Sequence, residues 1–345
     1  MAELKLLNSA KLKDFSLPYF VAEINTSHGG SLDSAKDMIT EAKKIGFDCV
    51  KFQSWTAESL YSNSYYIENP IAKRFFKKFS LSPNEIKELA DFSKSINITF
   101  CSTPYTRDEV DFLLEYCNVP YIKVASMDLN NHNFLEYIAK KNSPIVLSTG
   151  MGEIGEIRDA VEIIENCGNS NLCLLHCVSL YPTEKSKQMM RNILGLRKNF
   201  PKYPIGFSDH SENIDIAIVA TSFGACMIEK HFTLDKKKIG MDNNMATEPK
   251  EMALLIKKCK DIQISLGSPD RVLSKKEKNQ RSKMRRSIVA SRFLKKGETL
   301  KFDDLDVKRP GTGIPPSELN NLIGKKILKD IDKDFLISLK DISEG

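Results

Sequence analysis

Residues 144–179 read PIVLSTGMGEIGEIRDAVEIIENCGNSNLCLLHCVS. PIVLST (144–149) is a short apolar run. Residues 154–165 then repeat apolar side chains at three- and four-residue spacing, as a helix with one buried face does. LCLLHCVS (172–179) is a second apolar run. A strand, a helix and a strand in so short a span predict two parallel strands with the helix packed across them. The unit recurs on both sides. PYFVAEI (18–24), FDCVKFQ (47–53), ITFCST (98–103), PYIKVAS (120–126), PIGFSD (204–209) and CMIEKHF (226–232) bring the apolar runs to eight. Amphipathic segments lie between them at 31–45, 83–96, 106–116, 131–141 and 213–223, and the last runs from 249 to 266. In the first, Leu32, Ala35, Met38, Ile39 and Ala42 mark the buried face. Eight such repeats predict an α/β fold, a (β/α)8 TIM barrel of about 250 residues. An open doubly wound sheet is the alternative, but no GxGxxG follows the first run. Residues 61–81 are too long for a simple strand-to-helix connection and read as an active-site lid.

The pattern changes after Leu266. Residues 267–286 are polar and basic and read as a linker between a catalytic domain (1–266) and a small β-rich domain (287–345). The chain carries 51 Lys+Arg against 45 Asp+Glu, a net charge of +6. KKEKNQRSKMRR (275–286) holds seven basic residues and one acid, which is the whole of that excess. A nucleic-acid-binding face spreads its charge over a broad surface, so nucleic acid is not the expected partner. No stretch approaches 18 apolar residues, and MAELKLLNSAKLKDF lacks the apolar core of a signal peptide, so no membrane role is expected. Eight scattered cysteines without a CxxC pair predict reduced, buried thiols and a cytoplasmic protein.

In a barrel, chemistry sits at the C-terminal ends of the strands. Polar residues fall at or just past every predicted end: Glu23; Lys51 and Gln53; Thr103; Lys123 and Ser126; Ser148; Ser179 and Tyr181; Ser208 and His210; Glu229 and His231. Lys51 and Lys123 interrupt buried runs, where an unpaired charge is costly. They read as a clamp for phosphate or carboxylate, aided by the hydroxyls of Thr103, Ser126, Ser148 and Ser208, or as snorkelling lysines. His210 and His231 end neighbouring runs and suit Mn²⁺, Mg²⁺ or Zn²⁺, with Asp242 as a candidate carboxylate. Glu23 reads as a general base or as a salt-bridge partner of a lysine. CLLHC (173–177) alternates along a strand, and its two thiols are expected to face different sides, which argues against a metal there.

AEINTSHGGSLDSA, VKFQS, STPYT, IKVASMD, VLSTGM, LLHCVSLYPT, GFSDH and IEKHFTLDK, in that order, resemble the sialic acid synthase family, which makes nonulosonic acids. KKGE and VKRPGTG resemble that family's SAF, or antifreeze-like, domain. The resemblance runs nearly end to end. It implies condensation of phosphoenolpyruvate with an N-acylated amino-sugar such as N-acetylmannosamine, with release of phosphate. By motif, Lys51, Thr103, Lys123, Ser126, Ser148 and Ser208 hold phosphoenolpyruvate, and Gln53 and Ser179 join the substrate contacts. His210 and His231 bind Mn²⁺ or Mg²⁺, and Glu23 orients water. Asp128, Tyr181, Glu229 and Asp242 contact or position the sugar. The family also implies a domain-swapped homodimer in which Arg309 of the SAF domain touches the N-acyl group. Four positions depart from the family pattern: Ser27, Asp128, Ser179 and Met241. They leave open a 6-deoxy-diacetamido hexose as acceptor, giving a pseudaminic- or legionaminic-type acid. A Schiff-base aldolase or lyase using Lys123 and a non-catalytic sugar-binding protein are the readings of other classes.

Overall fold

The computed structural model describes residues 1–344. The chain divides into two compact units, Met1–Gly267 and the part from Ser268 on. In the first, β1 (Glu3–Lys5) and β2 (Lys11–Lys13) form an antiparallel hairpin. Eight parallel strands follow: β3 (Tyr19–Glu23), β4 (Cys49–Gln53), β5 (Thr99–Thr103) and β6 (Ile122–Val124), then β7 (Ile145–Ser148), β8 (Leu172–Cys177), β9 (Ile205–Asp209) and β10 (Met227–His231). They are the eight runs expected from sequence. Their order around the sheet is β5-β4-β3-β10-β9-β8-β7-β6. The barrel is therefore nearly closed, with β5 and β6 packed together at the seam.

Helix α1 (Leu32–Ile45) follows β3. Between β4 and the next long helix lie three short helices, α2 (Ala57–Leu60), α3 (Asn63–Glu68) and α4 (Pro70–Phe79), the last two within the segment 61–81 read as a lid. The outer ring continues with α5 (Pro83–Ser95), α6 (Arg107–Glu115), α7 (His132–Ala139), α8 (Ile154–Asn166), α9 (Asn192–Asn199), α10 (Asp215–Ser222) and α11 (Pro249–Leu266). Local chemistry sets these ends. Ser31 caps α1 by accepting from the Ser34 N–H, and Gly46, at φ 100°, ends it in the left-handed conformation that glycine tolerates. The lid helices hold together through their own cluster of Trp55, Tyr66, Phe76 and Phe79.

Strand side chains alternate between faces, and the two faces have different tasks. Phe20, Ala22 and Ile24 point outward and pack under Met38, Ile39 and Ala42 of α1. Val21, Cys49, Cys101, Tyr121, Val146, Cys173, Leu175 and Met227 pack inside the barrel in a lower apolar layer, joined by Leu4, Leu6 and Leu12 from the N-terminal hairpin. The hairpin therefore plugs the floor. Two residues further along β3, β4, β5, β6, β7 and β10, on the same face, the inward side chains turn polar. All eight cysteines are free, and seven are buried. Among the described residues no helix is long and apolar enough to cross a membrane.

The second unit contains α12 (Lys275–Met284) and the antiparallel pair β11 (Ser287–Ala290) and β12 (Leu305–Lys308). Its own core includes Ile288, Leu294, Leu300, Ile327 and Ile337. The basic stretch read as a linker is thus largely helical. Ser274 caps it, Glu277 sits in its first turn, and Arg281 and Lys283 sit in its last, each complementing the helix dipole. The Gly311 N–H bonds to the Ser282 carbonyl at 2.8 Å, which ties the helix end to the β-rich unit.

Candidate active site

The upper inward layer follows from the alternation. With Val21, Cys49, Tyr121, Val146 and Met227 in the lower layer, Glu23, Lys51, Lys123, Ser148 and Glu229 must point into the barrel two residues above. Parallel register then sets neighbours: Glu23 lies beside Lys51 on one side and beside His231 on the other. Ser126, Ser179, Tyr181, His210 and Asp242 join from the loops. These residues, with Gln53, Thr103 and Ser208, line one cavity of about 340 Å³.

Its floor is a buried charge cluster. Lys51 Nζ pairs with Glu23 and lies 3.7 Å from Glu229 Oε2. It also donates to Thr103 Oγ1 at 3.1 Å. Lys123 Nζ donates to Ser148 Oγ at 2.7 Å and lies 3.7 Å from Glu229 Oε1. Ser208 Oγ donates to Glu229 Oε1 at 2.9 Å. Two lysines and two glutamates balance, which is how buried charges are tolerated. Burial raises the Glu23 carboxyl to about 7, with the nearby Glu229 adding and Lys51 opposing. Burial acts on Glu229 too, but Lys123 and Lys51 overcome it and hold that carboxyl at about 2. The two lysines thus favour the charged form of Glu229, while burial favours the neutral form of Glu23. The structure groups Glu229 with the lysines at the floor, although its motif implied a sugar contact.

The histidines stand above this cluster, His231 two residues past Glu229 on β10 and in register with Glu23, with their ring centroids 5.4 Å apart. His210 Nδ1 donates to the Val178 carbonyl at 2.7 Å, which fixes the tautomer and leaves Nε2 with a free lone pair. Burial depresses His210 to about 4 and His231 to about 3, so both rings are neutral, as metal ligation requires. Asp242 Oδ2 lies 3.7 Å from His231 Nδ1. Two neutral imidazoles fit a divalent ion that keeps positions for water and substrate. Among the described residues no cluster of three His, Cys, Asp or Glu side chains completes a closed site. The Tyr181 ring lies 4.2 Å from His210.

Two candidates are placed elsewhere. Asp128 does not line the cavity; its carboxylate accepts from Asn131 Nδ2 at 3.0 Å. Arg309 is exposed in the second unit, just past β12. Cys173 and Cys177, expected on different sides of β8, both face inward, because residues four apart on a strand share a face; His176 points outward and bonds to the Gln188 carbonyl at 2.9 Å.

Trp55, Tyr105, Lys230 and Asp209 were not among the expected site residues, whereas Gln53 was. Gln53 Nε2 donates to Glu23 Oε1 at 2.8 Å, while Gln53 Oε1 accepts from Trp55 Nε1 at 3.0 Å and from Tyr105 hydroxyl at 2.6 Å. Trp55 and Tyr105 thus orient Glu23 from the lid and from the STPYT loop. Lys230 pairs with Asp209 at 2.8 Å and donates to the Ser211 carbonyl at 2.7 Å, fully buried behind the strands that carry the histidines. Both lie next to the singled-out histidines in EKHF and SDH, and alternation alone sends them to the outer face.

The NeuB family model matches residues 38–271, and the SAF domain model matches residues 285–343. The chain belongs to the NeuB family. It is 33% identical over 341 residues to the N,N'-diacetyllegionaminic acid synthase of Legionella pneumophila, covering 95% of each chain. It is 36% identical over 326 residues to the N-acetylneuraminate-9-phosphate synthase of Mus musculus, covering 92% of this chain and 90% of the relative. The crystal structure of N-acetylneuraminic acid synthetase from Leptospira borgpetersenii superposes with a TM-score of 0.74 at 31% identity, covering 81% of this chain and 96% of that one. These NeuB-family relatives are named as synthases of sialic or legionaminic acids.

Proposed function

We propose that this NeuB-family protein is a nonulosonic acid synthase that condenses phosphoenolpyruvate with an N-acylated amino-sugar and releases phosphate. The observation that carries the reading is the division of the cavity. One end holds Lys51 and Lys123 among the hydroxyls of Thr103, Ser148 and Ser208; the other holds two neutral histidines and Asp242. The first end suits a small molecule bearing a phosphate and a carboxylate. The second suits a polar, uncharged sugar.

In this reading Lys51, Lys123, Thr103, Ser126, Ser148 and Ser208 hold phosphoenolpyruvate, and the lysines stabilise its charge throughout. Carbon 3 attacks the aldehyde carbon of the open-chain sugar. The cation left at carbon 2 takes up water, and the tetrahedral intermediate expels phosphate. Glu23, with its carboxyl near 7, takes the proton of that water. Gln53 keeps Glu23 oriented for it. His210 and His231 would hold Mn²⁺ or Mg²⁺, which when bound supplies a Lewis acid to the aldehyde oxygen. Tyr181 and Asp242 line the acceptor's side.

Names of relatives divide between acids with and without a 9-phosphate. N-acetylmannosamine is the acceptor proposed here, with a 6-deoxy-diacetamido hexose as the second reading, favoured by the legionaminic acid synthase match. The test is phosphate release from phosphoenolpyruvate with Mn²⁺ and a panel of both acceptors. Acceptor-dependent release is expected. No release with any acceptor, or a borohydride-trapped adduct on Lys123, overturns the reading. The resemblance also implies a homodimer, which sedimentation measures directly.

A further inference from the structure

Asn25 was not among the residues singled out by motif. It lies two residues past the end of β3, and the Ser27 N–H closes a turn onto the Ile24 carbonyl at 2.9 Å. Inside that turn Asn25 has φ 41°, a left-handed conformation that glycine adopts most readily. A side chain at such a position needs a reason. Asn25 is 5% exposed and lines the cavity. Its Nδ2 donates to Asp242 Oδ2. The carboxylate accepts, so the amide nitrogen must face it, and Oδ1 is turned away. That oxygen is buried without a hydrogen-bond partner. The neighbouring residue repeats the clamp: Thr26 Oγ1 accepts from the Met241 N–H at 2.8 Å. Gly240 permits the approach, since a Cβ there would lie 2.9 Å from Asn243 Cβ and 3.3 Å from Thr26 Oγ1. The β3 turn thus grips the loop that carries Asp242 on the histidine side of the site.

We propose that Asn25 is a positioning and acceptor-binding residue: its amide nitrogen holds Asp242 toward His231, and its free carbonyl oxygen takes a hydrogen bond from a hydroxyl or amide N–H of the acceptor sugar. The inference rests on the synthase reading. An amide oxygen beside a carboxylate repels anions and attracts donors, so it selects the uncharged, hydroxylated substrate and not phosphoenolpyruvate. A buried acceptor left unpaired is a cost, and a bound donor removes it.

The chain contains a single tryptophan, Trp55, which lines the same cavity, so its fluorescence reports phosphoenolpyruvate binding. Two full-length variants are measured with Mn²⁺ present. Asn25→Gly suits the backbone and removes both hydrogen bonds. Asn25→Asp keeps the shape and sets a second carboxylate against Asp242. For Asn25→Gly, KM for the better of N-acetylmannosamine and a 6-deoxy-diacetamido hexose rises about tenfold or more, a loss confined to one substrate. Its phosphoenolpyruvate Kd changes less than about twofold, and Tm moves by no more than about 3 °C. Asn25→Asp raises the acceptor KM further. An unchanged acceptor KM in both variants overturns the inference. So does a parallel rise of acceptor KM and phosphoenolpyruvate Kd with a falling Tm, which marks a merely structural residue. Wild-type protein that releases no phosphate with either acceptor defeats the synthase reading instead, an outcome separate from these.

Discussion

Val21, Cys49, Tyr121, Val146 and Met227 differ from Glu23, Lys51, Lys123, Ser148 and Glu229 by two positions along the same strands. The first set forms a dry floor, closed from below by Leu4, Leu6 and Leu12. The second set forms a charged chamber in which Glu229 Oε2 and Asn25 Oδ1 have no hydrogen-bond partner. Both layers are buried, so burial does not distinguish them. The distinction is polarity. The lower layer is apolar and gains from contact, whereas the upper layer buries paired charges and hydroxyls, at a cost in stability. One barrel thus separates the work of folding from the work of catalysis along its axis.

Substitutions in the two layers should therefore fail in different ways. Lys123→Met should lower kcat/KM for phosphoenolpyruvate by about 10²–10³-fold while the far-UV spectrum stays native. A fall confined to the sugar's KM would break the assignment of the two ends of the chamber. His231→Ala should raise the Mn²⁺ concentration for half-activation by more than about 100-fold. Full turnover in that variant after exhaustive chelation would refute the metal assignment. In the lower layer, Leu175→Ala should cost about 3 kcal/mol of stability, read by denaturant titration, with kcat unchanged at low temperature. A loss of kcat without a loss of stability would erase the contrast between the layers. Arg309→Ala, in the second unit, should have the smallest effect, about a tenfold rise in acceptor KM, as expected for one lost polar contact at about 1.4 kcal/mol. An unchanged KM would remove Arg309 from the account.

The eight barrel strands were legible because each is an apolar run with a polar residue at its upper end. The same pattern exposed Glu23, Lys51, Lys123, Ser148, Glu229 and His231. The N-terminal hairpin was not legible. Its strands are three residues each, ELK and KLK, and a lone leucine in each is too little alternation to register. Helix α12 was hidden for a different reason: it buries none of its residues, so it shows no apolar periodicity, although its cap, end charges and Lys, Glu, Gln and Arg content favour a helix. Asp128 was not legible from position alone, since a short turn carries its carboxylate to Asn131 and out of the chamber lining. Asn25 and Tyr105 bond to partners distant in sequence, and Asn25 also has a left-handed backbone, neither of which a linear pattern records; Trp55 matters only through Gln53, whose partner Glu23 is on another strand. Lys230 and Asp209 form a pair only because β9 and β10 are neighbours.

The central claim is that the upper layer joins phosphoenolpyruvate to an amino-sugar. The most direct measurement is to incubate the protein with phosphoenolpyruvate, Mn²⁺ and either N-acetylmannosamine or a 6-deoxy-diacetamido hexose, and to follow inorganic phosphate and product mass together. The account predicts one phosphate released for each molecule of a new acid whose mass is that of the sugar plus the pyruvate unit. Phosphoenolpyruvate left intact with both sugars, or phosphate released without a carbon–carbon bond formed, would contradict it.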